Sequence, residues 1–188
     1  MMGMYDAQPR PDVTTPSVVD SVARQLVVKM LEVTDEGVIR SIREEMGGMS
    51  LKVAIRHVSK LIAGRKHLDG THLVRLLKER YCWFGDLKAV AVVLDDTERL
   101  LQVQALTEMR WWVTKNNLKP RLAAGQKAQY VQKRHGDVFE VRDVTVIEVH
   151  RTLARYSLDV DGQVVLVGYE DMHDLLTPPE EFELATQG

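Results

Sequence analysis

Apolar residues recur at helical spacing through roughly the first two thirds of the chain and at a spacing of two in the last third. Val18, Val22, Leu26 and Met30 repeat at four, and Val19, Val27 and Leu31 widen the stripe. This predicts a helix with one buried face that ends near Val33. Thr15-Pro16-Ser17 places proline in the first turn, and Ser17 with Asp20 has the spacing of a capping pair. A second helix is expected from Thr34-Asp35 to Glu45, with Val38, Ile39 and Ile42 inward and Gly47-Gly48 as its stop. A third is expected over 50–63. Leu51, Ala54, Ile55, Val58, Leu61 and Ile62 form its apolar face, Lys52, Arg56 and Lys60 line up on another, and Gly64 ends it.

Asp69 is the expected N-cap of a helix over 70–82 that carries Leu73, Leu76 and Leu77 inward. Residues 87–94 are almost wholly apolar, which fits a buried helix or a buried strand. The absence of Gly or Pro between them and the following segment favours helix. Asp95-x-x-Glu98 has capping-box spacing and opens a last helix, in which Leu101, Ala105, Met109, Trp112 and Val113 share a face. Lys115-Asn116-Asn117 and Pro120 end it.

From Gly125 onward the period changes to two. Tyr156, Leu158 and Val160 alternate with Ser157, Asp159 and Asp161, and Asp161-Gly162 is a two-residue hairpin signal. Gln163 to Tyr169 reads as the return strand, and its run Val164-Val165-Leu166-Val167 points to a central position. Before the hairpin lies a longer strand, Val138 to His150, whose apolar parity changes between Val141 and Ile147, so a bulge or sharp bend is expected near Asp143. Lys127 to Lys133 supplies one more strand, joined through the polar turn His135-Gly136-Asp137.

A short first strand, a long bent one, a tight hairpin and then a helical turn at Glu170–Leu176 give an order that resembles SH3-like or Tudor-like small β-barrels. The resemblance covers 125–176 and is one of strand pattern, so no binding residues come with it. It implies closure of the strands into a barrel. Tudor-type barrels often carry an aromatic cage, for which Tyr130, Phe139, Tyr156 and Tyr169 would be the candidates. Tyr156, in phase with Leu158 and Val160, also reads as plain core. The expected organisation is an α+β protein: a flexible tail over 1–14, a helical domain of five or six short helices over 15–119, a small antiparallel barrel over 120–178, and an acidic tail over 179–188.

Composition narrows the function classes. Apolar content of 45% and charged content of 28% are those of an ordinary soluble domain. No run approaches the ~18 apolar residues of a membrane span, so no membrane partner is expected. Cys82 is the only cysteine, which excludes an internal disulfide and fits a cytoplasmic protein. The net charge of −2 hides an asymmetry: residues 1–119 hold 18 Lys/Arg and 15 Asp/Glu, whereas residues 120–188 hold 7 and 12. Between Ser50 and Arg80 eight basic residues face two acidic ones, the strongest local imbalance in the chain.

Catalytic motifs are lacking. The glycines end helices or make turns and form no phosphate loop. Glu170, Asp171, His173 and Asp174 are the densest set of metal-ligand types, but no spaced second pair accompanies them, so neither a metal nor a cofactor is expected. Cys82 with His72 or His67 would be a nucleophile pair; Tyr81, Trp83 and Phe84 around it favour a buried, inert thiol. What remains is the basic stretch. Helices 50–63 and 70–82 are compatible with a helix-turn-helix, although the connection Gly64–Leu68 is longer than usual. Thr71, His72 and Arg75 would then lie at the start of the recognition helix. Lys52, Arg56, Lys60, Arg65, Lys66 and Lys78 would meet phosphates. The expected function is a non-enzymatic binding protein, nucleic-acid-associated through the basic helical face at 50–80, with the acidic barrel free for a protein partner. The alternative is a structural or adaptor protein, an assembly component or an inhibitor of another protein, with no nucleic-acid contact.

Overall fold

The structure, a computed structural model, describes residues 10–34, 51–65, 68–83, 85–133, 139–169 and 172–173. Residues 35–45 of the expected second helix, 1–9 and 179–188 of the expected tails, Lys66, His67, Phe84 and the turn at His135-Gly136-Asp137 lie outside these residues. Among the described residues five helices are followed by an antiparallel sheet, so the protein belongs to the α+β class. The chain divides into two compact units, Met1–Trp112 and Val113–Gly188.

In the first unit the helices are α1 (Pro16–Glu32), α2 (Leu51–Ile62), α3 (Gly70–Tyr81), α4 (Leu87–Asp95) and α5 (Thr97–Lys115). The apolar run 87–94 is thus helical, as the missing turn signal indicated. α1 packs mainly against α2, and α3 mainly against α4. Their stripes meet in one core around Leu26, Met30, Val58, Leu61, Leu73, Leu77 and Leu94, which Leu100, Leu101 and Ala105 of α5 join. Met109 and Trp112 are buried further along α5, where the Arg10 guanidinium lies 5.3 Å from the centre of the Trp112 ring.

Two expected capping boxes are used differently. Pro16 does open α1, but the N-cap Thr15 makes no side-chain cap bond. Ser17 instead donates to Glu108 Oε2 at 2.5 Å, and Asp20 accepts from Ser59 Oγ at 2.7 Å. Both side chains therefore tie α1 to its neighbours and leave the helix's own amides alone. Asp95 belongs to the end of α4, and its carboxylate accepts from the Gly70 N–H at 2.7 Å. The Asp69 cap is as expected, with its side chain accepting from the His72 N–H at 2.7 Å. Gly70 sits where α3 crosses α4: a Cβ there would lie 2.1 Å from the Ala91 carbonyl oxygen and 2.8 Å from the Asp95 backbone nitrogen. No larger residue fits at that crossing.

The second unit holds five strands, β1 (Lys127–Lys133), β2 (Phe139–His150), β3 (Arg155–Val160), β4 (Gln163–Gly168) and β5 (Met172–His173), in the order β4-β3-β2-β1-β5. All ladders are antiparallel. Tyr156 and Leu158 of β3 are fully buried with Val144, Val146 and Val167 around them, as the alternation required. At the hairpin both Asp161 and Gly162 have positive φ, 53° and 80°, and Asp159 Oδ1 accepts from the Gly162 N–H at 2.8 Å. Gly162→Val places a β-branched residue in that left-handed position, at an expected cost of about 1–3 kcal/mol. A thermal melt with an unchanged midpoint would show that the turn does not constrain this residue.

Three expectations for the sheet are corrected. Among the described residues β4 stands at the edge of the sheet and not in its centre, and Val164 is 71% exposed. Its continuous apolar run covers the core on one side only. The irregularity in β2 falls between Val146 and Glu148, and pairing with β1 is continuous through Asp143. Within the helical turn expected at Glu170–Leu176, Met172 and His173 are extended and pair with β1; the remaining residues of that turn lie outside the described set. A 3₁₀ turn occurs elsewhere, at Arg151–Leu153.

Candidate functional site

The basic residues of α2 acquire their meaning from α1. Because Val58 and Leu61 turn inward, Lys52, Arg56 and Lys60 are left on an exposed row with a step of four, about 6 Å per step along the axis. Where that row faces α1 the surface is concave. A groove of about 930 Å³ is lined by Lys52, Arg56, Lys60, Ser59, Leu51 and Ile55 from α2, and by Ser17, Asp20, Ser21 and Arg24 from α1. Four cations thus share it with one carboxylate, Asp20, whose Oδ1 is occupied by Ser59. A second carboxylate, Glu108, stands at the Ser17 end. Among the described residues none of the four cations is in an ion pair. Unpaired like charges along one groove repel one another, and an anion there relieves the repulsion.

Arg24 was not among the residues singled out from the sequence. Its signal is weak: it is an exposed position at i+7 from Ser17 and i+3 from Ser21, on a polar face that looks like any solvated helix surface. Only the packing of α1 on α2 turns that face into a wall.

The other expected residues are placed differently. Thr71 is exposed at the start of α3, and His72 is half-buried with its Nδ1 3.0 Å from Arg75 Nη2. Arg75 also lies 4.0 Å from Glu79 Oε1, and Lys78 is exposed in the last turn. None of these four lines the groove. Arg65 is half-buried, and its Nε donates to the Leu61 carbonyl at the end of α2. The N-terminus of α3 already receives two carboxylates, Asp69 on the His72 amide and Asp95 on the Gly70 amide. A third anion there would meet like charge, so this helix end is a poor place for a phosphate.

His57 lies behind the cationic row. Its ring stacks on Tyr81 at the end of α3, centroids 4.1 Å apart and planes 16° from parallel, and its Nδ1 is buried without a hydrogen-bond partner. Burial holds its pKa below the ordinary 6.5, and the charges of Lys60 and Arg56 push in the same direction. The folded state therefore keeps His57 neutral where the unfolded chain would take up a proton. The stability this gives is intact above pH 6.5 and is lost as the pH falls from 6.5 through the lower folded value. An NMR titration of the imidazole should show a midpoint below 6.5 that rises in Lys60→Ala but does not return fully, because burial is the larger cause. A midpoint unmoved by Lys60→Ala would mean that the ammonium does not act on the ring.

The other chemistries read from the sequence are met only in part, because His67 lies outside the described residues. Cys82 is exposed and caps α3 in the left-handed conformation, φ 52°, whereas Trp83 takes the interior position at 2% exposure. The expectation of a buried thiol is thus corrected: the chain reverses at Cys82 and sends the next side chain inward. Among the described residues no group of three or more His, Cys, Asp or Glu is placed to hold a metal ion. Glu170, Asp171 and Asp174 lie outside those residues. Of the aromatic-cage candidates, Tyr156 is buried and its ring meets that of Tyr169 with centroids 4.4 Å apart and planes tilted by 34°. Tyr130 and Tyr169 pack against the same core. No described helix is long and apolar enough to cross a membrane.

Comparison with family models, with characterised proteins and with solved structures gives no match.

Proposed function

We propose that this is a non-enzymatic, nucleic-acid-associated protein that holds phosphates in the groove between α1 and α2. The observation that carries this reading is the set Arg24, Lys52, Arg56 and Lys60 around one concave surface, with no ion pair among the described residues to neutralise it. Lysine and arginine side chains at such a surface gain affinity for nucleic acid by releasing condensed counterions, so the binding is steeply salt-dependent. The helix-turn-helix expectation carries less weight. α2 and α3 pack mainly on other helices, and the start of α3 is occupied by Asp69 and Asp95.

The test is a salt titration of binding to an oligonucleotide of arbitrary sequence. Replacing Lys52, Arg56 and Lys60 together by Ala should flatten the slope of log K against log salt by about two units, at roughly 0.7–0.9 per lost phosphate contact. The melting temperature should change little, because the three side chains are exposed. Absence of binding by the wild type at low salt would eliminate this reading.

The adaptor reading would then take its place, and one observation favours it. Among the described residues β4 stands at the edge of the sheet without a charged residue, and it exposes Val164 and Leu166 on the face away from the core. Such an edge is open to pairing with an extended segment of another protein.

A further inference from the structure

Resting on the nucleic-acid reading, we infer that the α1–α2 groove takes one single strand, stretched along α2, in preference to a duplex. Three features of the groove point this way. First, the cations stand on both walls, Arg24 on α1 and Lys52, Arg56 and Lys60 on α2. A strand lying between the walls meets all four, whereas the convex backbone of a duplex resting on the rim meets one wall. Second, the α2 row advances about 6 Å per cation. That step is close to the spacing of successive phosphates along one strand, so a strand laid along α2 brings a phosphate to each cation. Third, Asp20 on the α1 wall, with Glu108 bonded to Ser17 beyond it, repels the second row of phosphates that a duplex would bring to that side.

The lining also sets what kind of recognition follows. Leu51 and Ile55 offer a small apolar strip to sugars and base faces, and Ser21 offers a hydroxyl donor. Among the described residues no aromatic ring lines the groove, and these residues offer no stacking platform of the kind single-strand binders use to hold bases. Affinity then comes from the backbone, is indifferent to sequence and DNA or RNA sugar, and saturates with few nucleotides. From Lys52 to Lys60 the row spans about 12 Å, room for three phosphates, and Arg24 supplies a fourth contact.

The experiment measures binding of the full-length protein to labelled oligothymidylates of increasing length and to a duplex of matched length at the same low salt. Expected are tighter binding to the single strand, affinity that stops rising beyond about four or five nucleotides apart from the statistical gain of extra registers, and a salt slope near −3, from four contacts at about 0.7 each. Arg24→Ala, at an exposed position, should lower that slope by about 0.7 and weaken single-strand binding several-fold, with little change for the duplex. Equal or tighter duplex binding, or an Arg24→Ala protein that binds the single strand as the wild type does, overturns the single-strand inference while leaving the basic-groove reading standing. No binding to either form overturns both. Displacement of the oligonucleotide by poly-glutamate at equal charge concentration would assign the groove to an acidic protein segment and also overturn the inference.

Discussion

Gly70→Ala is expected to lower the melting temperature of the helical unit by more than about 10 °C, from a loss of about 3 kcal/mol. The sign is opposite to the usual one, since alanine in place of glycine inside a helix ordinarily gains up to about 1 kcal/mol. Here the added methyl would meet the Ala91 carbonyl oxygen at 2.1 Å and both the carboxylate and the backbone nitrogen of Asp95. Two of these are backbone atoms, so no rotamer change relieves the contact. α3 must move off α4, and the Gly70 amide then loses the Asp95 carboxylate it bonds at 2.7 Å. Circular dichroism melts of the two proteins decide the matter. A midpoint equal to or above that of the wild type would mean that the two helices do not approach so closely.

Tyr156→Phe should destabilise the sheet unit by about 1–3 kcal/mol while leaving the groove's affinity unchanged. The phenol oxygen accepts from the backbone amides of Arg121 and Leu122, at 2.9 and 3.1 Å. Arg121 is exposed and its amide can turn to water. Leu122 is 4% exposed, and its amide would be left buried without a partner, which is where most of the cost arises. The ring itself stays, so the core around Leu158 and Val167 keeps its packing. Denaturant unfolding measures the loss, and hydrogen exchange at the Leu122 amide locates it. Exchange there as slow as in the wild type would show that the tyrosine hydroxyl does not hold that segment.

What could be read in the sequence was whatever one element decides by itself. The stripe of α1, the stop at Gly64, the Asp69 cap and the alternation of β3 each follow from local spacing, and so does the Asp161-Gly162 turn. What escaped depends on a second element. Asp95 looked like the opening of a capping box because Glu98 stands three residues on; its partner, Gly70, lies in another helix. The run at Val164–Val167 has no polar alternation, so nothing in it reveals that one face is bare. A change of parity in β2 says that an extra residue exists but not where; the pairing with β3 places it at Ile147. For the candidate site, the row Lys52, Arg56 and Lys60 was visible, whereas Arg24 and the concavity needed the packing of α1 on α2.

The edge strand has a consequence for how the molecule behaves in a crowded solution. Gln163 to Gly168 contains no charge and no proline, the two devices that most often keep one sheet edge from joining another. Among the described residues, charges stand near it at the hairpin turn, where Arg142 pairs with Asp161 at 2.6 Å, and on β3, where Asp159 lies opposite Val164 and Arg155 opposite Gly168. None of them projects from β4 itself. While the sheet is still assembling, a second molecule's β4 competes with β3 for the same backbone groups. The yield of refolded monomer should therefore be set by protein concentration more than by the stability of either unit.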